Sequence, residues 1–294
     1  MRVQVLGGGI MGAQIACEYA LAGHDVALLT RSRRSASPRI DAAFMLVEEE
    51  GLGSARSIAS ARRSLRFVDD SSEPCDLAVE SLPEDFDVKT RVLRDVATRS
   101  PDACIATNTS SLSVAKLAHR SGAVGRMVGT HYWNPPLLMP LVEVVVPPET
   151  TPDRLDFIWS TLIRSGKEPV LVQDVPGFVW NRLQAAVLRE AVWLVENGVA
   201  SAEDVDRIVR TGLARRWRHI GPFETVVLGG AETWDEIMRN LLPHLSRARG
   251  LAPLGPLTGG TRRRMAELRR RRDAGLATEL RQSESPKSRD SQDQ

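Results

Sequence analysis

The chain has 294 residues, 42% of them hydrophobic and 26% charged, and a formal net charge of only +2. That length allows one large domain or two ordinary ones with packed cores, and the near-neutral charge gives no sign of a nucleic-acid partner. No apolar run approaches the roughly 18 residues of a membrane span, and Met1-Arg2 leads straight into a strand-like segment, so neither a membrane segment nor a signal peptide is expected. Cys17, Cys75 and Cys104 have no metal-ligand or disulfide spacing, which points to a reducing, cytoplasmic setting and no bound metal.

Residues 2–6 form a short apolar strand, and Gly7-Gly8-Gly9-Ile10-Met11-Gly12 follows it. A helical pattern then runs through Ile15, Ala16, Tyr19 and Ala20 to Gly23, and residues 25–29 make a second strand. Gly7, Gly9 and Gly12 thus form G-x-G-x-x-G in the strand–turn–helix setting that binds a dinucleotide. Gly7 permits the tight turn, Gly9 lets the backbone approach a pyrophosphate, and Gly12 lets the helix lie close to the strand. Ile10 and Met11 open the helix, whose free N–H groups face the phosphates.

An acid at the end of the second strand would hold a ribose 2′-hydroxyl. Thr30 stands there instead, followed by Arg31 and Ser32. An arginine in that place can accept a 2′-phosphate, so NADP(H) is expected over NAD(H). The plain alternative is an arginine-rich loop in a protein with only four lysines.

Residues 38–63 read as a helical insertion with a break near Gly51 and Gly53, and residues 66–68 resume an extended path. Residues 76–80 are a buried strand ending in Glu80. Pro83-Glu84-Asp85 begins a helix, where Glu84 could simply complement the helix dipole and Lys89 could be a surface lysine. Residues 103–106 are the next strand. The hydroxyl-rich 107–111 follows, and helix capping accounts for one of its hydroxyls but not for all.

A β-branched run leads to His131, and Pro135-Pro136 stops it, placing His131 at a strand end facing a cleft. The next apolar strand carries one carboxylate, Glu143, which is costly to bury without a partner. A carboxylate on one imidazole nitrogen, leaving the other to move a proton, is a recurring general-base arrangement. A satisfied core histidine beside an edge-strand glutamate is the alternative. After helix 153–165 and strand 169–173, Asp174-Val175-Pro176-Gly177 reads as a linker. The rest is helical: an amphipathic helix to about Asn197, a capping-box start at Ser201 for a helix to about Thr211, and a basic helix over 261–281. That last segment has eight arginines against three acids but no interleaved aromatic residue, so a solvated helix is expected rather than nucleic-acid binding. Three parts result: a dinucleotide-binding α/β domain over 1–173, a helical domain over 174–282 and a disordered tail over 283–294.

Several of these stretches together resemble the 3-hydroxyacyl-CoA dehydrogenase family: residues 7–12, 79–84, 108–112, 131–135, 141–143 and 177–183. Within it, residues 148–152, 177–184, 212–217 and 221–225 are similar to the branch of λ-crystallin (L-gulonate 3-dehydrogenase) and carnitine dehydrogenase. The resemblance implies a Rossmann-type, mostly parallel sheet followed by an all-helical domain that forms a homodimer. It implies oxidation of a small 3-hydroxy acid, or of a CoA or carrier-protein thioester, with His131 as base and Glu143 as its orienting partner. Ser110 and Asn181 would bind the reacting oxygen, and Asn134 and Arg216 would meet the substrate. Glu84, Lys89 and Asn108 would line the cofactor site. Arg216 could equally be a surface arginine. A non-catalytic, crystallin-like or redox-sensing dinucleotide binder is the competing class, and the complete set Ser110, His131, Glu143 and Asn181 argues against it.

Overall fold

Strand and helix patterns alternate through the first part of the chain because each apolar strand must be covered on both faces. The computed structural model describes residues 1–70, 73–251, 254 and 261–284. Its eight strands are β1 (Arg2–Leu6), β2 (Asp25–Leu29), β3 (Leu65–Val68), β4 (Leu77–Glu80), β5 (Cys104–Thr107), β6 (Met127–Tyr132), β7 (Leu141–Val146) and β8 (Glu168–Gln173). They form one sheet in the order β3-β2-β1-β4-β5-β6-β7-β8. All neighbours are parallel except β6 and β7, so the sheet is the expected Rossmann-type, mostly parallel one.

Two apolar layers cover it. On one face α1 (Ile10–Leu21), α2 (Arg33–Glu49), α3 (Ala55–Ser64) and α6 (Pro152–Arg164) pack through Ile15, Tyr19, Phe44, Ile58 and Leu162. On the other, α4 (Phe86–Arg99) and α5 (Val114–Ser121) pack through Leu93, Val96 and Leu117. The inserted helices α2 and α3 break where Gly51 takes a left-handed φ of 64°. Ser32 and Ser54 cap them by accepting from Ser35 and Ser57 backbone N–H groups. A buried ion pair, Lys167 Nζ to Glu18 Oε2 at 2.6 Å, ties α1 to the start of β8. The same ammonium donates to the Pro136 and Met139 carbonyls, which steadies the turn after β6.

The helical segment begins with α7 (Trp180–Glu196) and continues with α8 (Ala202–Ile208), α9 (Ala214–Trp217), α10 (Pro222–Gly229) and α11 (Ala231–Leu241). Ser201 caps α8, accepting from Asp204 N–H at 3.1 Å. The helix expected to stop near Thr211 runs on instead, through a π-helical turn over Val209–Leu213 into α9. Glycine at 212 alone does not end a helix whose neighbours keep αR geometry.

The last helix, α12 (Arg262–Glu284), extends two residues beyond the boundary expected at 282. The expected disordered tail otherwise lies outside the described residues. Compact packing divides the chain into Met1–Val179 with the residues from Ala266 onward, and Trp180–Met265. Most of α12, expected with the helical segment, thus belongs with the sheet. Ala277 is fully buried and Arg281 is bound to the Glu50 carbonyl. Among the described residues no helix is long and apolar enough to cross a membrane.

Candidate active site

The carboxyl ends of β1, β4, β5 and β6 meet at one edge of the sheet, where open α/β sheets bind their ligands. Gly7 adopts φ 117°, and a side chain there would fall 2.4 Å from the Ser81 carbonyl oxygen. A Cβ on Gly12 would sit 1.9 Å from the Gly7 oxygen, so only glycine lets α1 lie this close to β1. Above Gly9 nothing lies within 4 Å. The N-terminus of α1 has no side-chain cap and no acid in its first turn. Open space over free N–H groups at a positive helix end fits a pyrophosphate at Gly9, Ile10 and Met11.

At the end of β2, Thr30 Oγ1 accepts from Ser32 N–H at 3.3 Å, and Ser32 caps α2. Arg33, a further basic candidate in this loop, turns away to Asp69 at 3.0 Å. Arg31 is exposed and has no ion-pair partner among the described residues.

Beyond β5 and β4 the hydroxyl-rich loop forms a polar network around Glu84. Glu84 Oε1 accepts from Thr109 Oγ1 (2.7 Å), Ser110 N–H (2.9 Å), Ser111 N–H (2.8 Å) and Ser111 Oγ (2.9 Å). Burial alone would raise the Glu84 pKa. The Thr109 hydroxyl, the Lys89 charge, the Ser111 hydroxyl and the Ser110 N–H together hold it at about 2. Because the folded value is depressed, this stabilisation is present above the ordinary glutamate range and is lost as pH falls toward 2.

Lys89 is not a surface lysine. It is 1% exposed, with Nζ 2.7 Å from Glu80 Oε1 and 3.3 Å from Glu84 Oε2. Glu80, fully buried, also accepts from Thr107 Oγ1 and Leu82 N–H. Asn108 gives its side-chain oxygen to Tyr132 N–H at 2.9 Å, tying the loop after β5 to the end of β6.

His131 and Glu143 face each other across the antiparallel β6–β7 ladder, so their side chains share one face. His131 Nδ1 lies 2.6 Å from Glu143 Oε2, with both residues at or below 5% exposure. Val179 N–H donates to the other carboxylate oxygen at 3.0 Å. Sequence reasoning treated 174–177 as a plain linker and missed this contribution. Gly177 and Phe178 both take left-handed φ values, 78° and 48°, which turns the Val179 N–H toward Glu143. The Phe178 ring lies 5.5 Å from the imidazole and is 1% exposed. A non-glycine residue in that region costs about 1–3 kcal/mol, which the surrounding packing must offset. Asp174 is likewise fixed, accepting from Ser113 Oγ and Ala115 N–H at 2.9 Å each. The signal available in sequence was the Gly177-Phe178 pair itself, since glycine commonly precedes such a turn.

With Nδ1 engaged by a carboxylate, Nε2 is the imidazole nitrogen that can exchange a proton. Asn181 and Arg216 belong to the helical unit, on α7 and α9.

The model of the 3-hydroxyacyl-CoA dehydrogenase NAD-binding domain matches residues 2–175, and that of the family's C-terminal domain matches residues 177–254. The chain belongs to the 3-hydroxyacyl-CoA dehydrogenase family. It is an NAD-binding oxidoreductase of that family; the expected preference for NADP(H) finds no support in the family match. It is 32% identical over 267 residues to the 5-formyl-3-hydroxy-2-methylpyridine 4-carboxylate 5-dehydrogenase of Mesorhizobium japonicum, covering 86% of this chain and 83% of that one. A solved structure of an enzyme of that name, described as an NAD+-dependent dismutase, superposes with a TM-score of 0.86 at 28% identity. The match covers 97% of this chain and 99% of the other. The L-carnitine dehydrogenase/betainyl-CoA thioesterase of Agrobacterium fabrum is 32% identical over 238 residues, 79% of this chain and 48% of that one. This chain therefore spans about half the length of that bifunctional relative.

Proposed function

We propose that the chain interconverts a small 3-hydroxy acid, or 3-hydroxyacyl thioester, and the matching 3-oxo compound, with His131 as general base. The observation that carries this reading is the 2.6 Å His131–Glu143 contact, buried beside a dinucleotide-type glycine loop. In the oxidative direction His131 Nε2 takes the hydroxyl proton; a nicotinamide dinucleotide held at the glycine loop would supply the hydride acceptor. The Glu143 carboxylate favours the imidazolium that forms. Ser110 donates to the substrate oxygen, a type of contact worth about 10²–10³ in rate, and the family resemblance makes Asn181 a candidate for the same role. Asn134 orients the substrate. Relatives named as dehydrogenases favour catalysis over the crystallin-like or redox-sensing reading.

A free acid is the favoured substrate. One relative is named for a pyridine carboxylate, and the exposed Arg216 has no ion-pair partner among the described residues. The test is turnover on a panel of 3-hydroxy acids and 3-hydroxyacyl thioesters, for the native chain and Arg216→Ala. The expected result is a KM rise of about tenfold or more, confined to the free acids, from a lost bidentate contact. Equal losses on both classes would remove the argument for an acid.

The preference for NADP(H) rests on Thr30 and Arg31 alone, and the name of the solved relative points to NAD+ for that enzyme. The two residues make a difference that can be measured whichever form the native chain prefers. Thr30→Asp with Arg31→Ala adds an acid where a 2′-phosphate would lie and removes an arginine. The kcat/KM ratio of NADPH to NADH should fall by about tenfold to a hundredfold. An unmoved ratio would show that neither residue reaches the ribose.

The reading includes a homodimer formed through the helical unit. Phe223, Val227 and Leu228 on α10 are 85%, 79% and 74% exposed, an apolar face that a second copy would cover. A sedimentation mass of one chain would overturn that part.

A further inference from the structure

The arginines of α12 are exposed, as a solvated helix would have them, but Ala277 is buried and one side of the helix lies against the sheet unit. It lines an open cavity of about 390 Å³ together with α1 and α2, to which α2 contributes Arg39 and α12 contributes Arg269 and Arg272. Ile10, in the dinucleotide loop, and Asn134, three residues beyond His131, also line it. The cavity therefore opens on the ground between the glycine loop and the proposed catalytic strand end.

Its charge is unequally satisfied. Arg272 Nε is paired with Asp273 at 2.7 Å. Arg39 donates from one guanidinium nitrogen to the Gly8 carbonyl at 2.9 Å, which fixes its position while leaving its other N–H groups. The Arg269 side chain has no hydrogen bond or ion pair among the described residues. Three guanidiniums thus face two carboxylates, Glu49 and Asp273, and Asp273 is already engaged. A fork of planar donors around a concave space suits carboxylate or phosphate oxygens.

We infer that this cavity is an anion subsite for the end of the substrate remote from the reacting carbon, with Arg269 and Arg39 as its donors and Arg272 as flanking charge. The inference deepens the proposed dehydrogenase reading and rests on it for the word substrate. The cavity's affinity for an anion does not rest on it. The function of α12 follows: by folding back onto the sheet unit, it supplies the guanidinium that makes this surface selective for substrates with a second anionic group.

The experiment has two arms, both on the full chain. In the first, inorganic pyrophosphate is titrated calorimetrically into the native protein saturated with NADH, and into Arg269→Gln. Saturation with NADH keeps the probe out of the dinucleotide loop. One site per chain is expected, weakened about tenfold in the variant, the scale of one charge-assisted contact. Absence of binding, or binding that Arg269→Gln does not change, overturns the inference. In the second arm, kcat and KM are compared for 3-hydroxyglutarate, 3-hydroxybutyryl-CoA and the uncharged N-acetylcysteamine thioester of 3-hydroxybutyrate. Arg269→Gln should raise KM about tenfold for the anionic substrates that the native chain turns over and leave kcat, and the neutral thioester, unchanged. A KM rise shared by the neutral thioester overturns the inference. If the native chain turns over none of the panel while the first arm gives the expected result, the dehydrogenase reading fails and the anion site stands. Arg269 is exposed, so the variant keeps the fold.

Discussion

Replacing His131 by alanine is expected to lower kcat by about 10²–10⁴-fold, the usual share of a positioned base, with dinucleotide affinity unchanged. The expectation follows from the placement of the ring. The β6–β7 register sets His131 directly opposite Glu143, and the 2.6 Å contact holds Nδ1. The Phe178 ring packs beside the imidazole, so the imidazole cannot swing without breaking two contacts. Alanine removes the proton acceptor but leaves Gly7, Gly9 and Gly12, where the dinucleotide phosphates are expected. Single-turnover kinetics with a deuterated substrate, together with NADH binding by fluorescence, separate the two effects. An unchanged kcat would return His131 to the role of a satisfied core histidine. A lost NADH affinity would mean that the substitution disturbs the end of β6 rather than the chemistry.

The extent to which this site was legible depends on the range of each interaction. The glycine loop is local: a turn, a close approach and a helix start are all encoded within residues 7–12, and strand boundaries around it were read to the residue for β1 and β2. The His131–Glu143 pair was legible for a related reason. An acid in an apolar strand needs a partner, and a hairpin-like antiparallel return brings only nearby residues opposite each other. Lys89 was not legible. Nothing in residues 86–99 distinguishes a lysine that points to solvent from one that reaches back to Glu80, and the decision is made by the β4–α4 packing. The docking of α12 was not legible either: its arginines are exposed, as a solvated face would have them, but Ala277 is buried and Arg281 reaches the end of α2, over 200 residues earlier. The Val179 contribution to Glu143 was hidden by a backbone event, two successive left-handed residues, that composition does not announce.

Lys89→Met tests the part of the site that sequence concealed, and it should have the largest effect on stability. The ammonium lies within 4 Å of two carboxylates, Glu80 at 2.7 Å and Glu84 at 3.3 Å, and donates to the Leu82 carbonyl at 3.1 Å. Methionine keeps the length and apolar stem of lysine, so little packing is lost. What is lost is the one cation that, among the described residues, pairs with the fully buried Glu80 carboxylate. Breaking a buried pair by removing one partner typically costs about 3–5 kcal/mol, because the remaining charge stays desolvated. The Thr107 and Leu82 donors to Glu80 remain, which sets the expectation at the lower end of that range. The measurement is the urea midpoint, with hydrogen exchange at β4, β5 and α4 to localise the loss to the sheet unit. The double variant Glu80→Gln, Lys89→Met removes both charges and should recover part of the stability, as a coupled pair requires. The clamp on Ser110 should respond as well: without Lys89, Glu84 loses one of the contacts that hold it at low pKa, and kcat should fall in the single variant even at temperatures where it is folded. A native-like midpoint for Lys89→Met would show that Thr107 and Leu82 satisfy Glu80 by themselves, and that the ion pair holds neither the sheet nor the Ser110 loop in place.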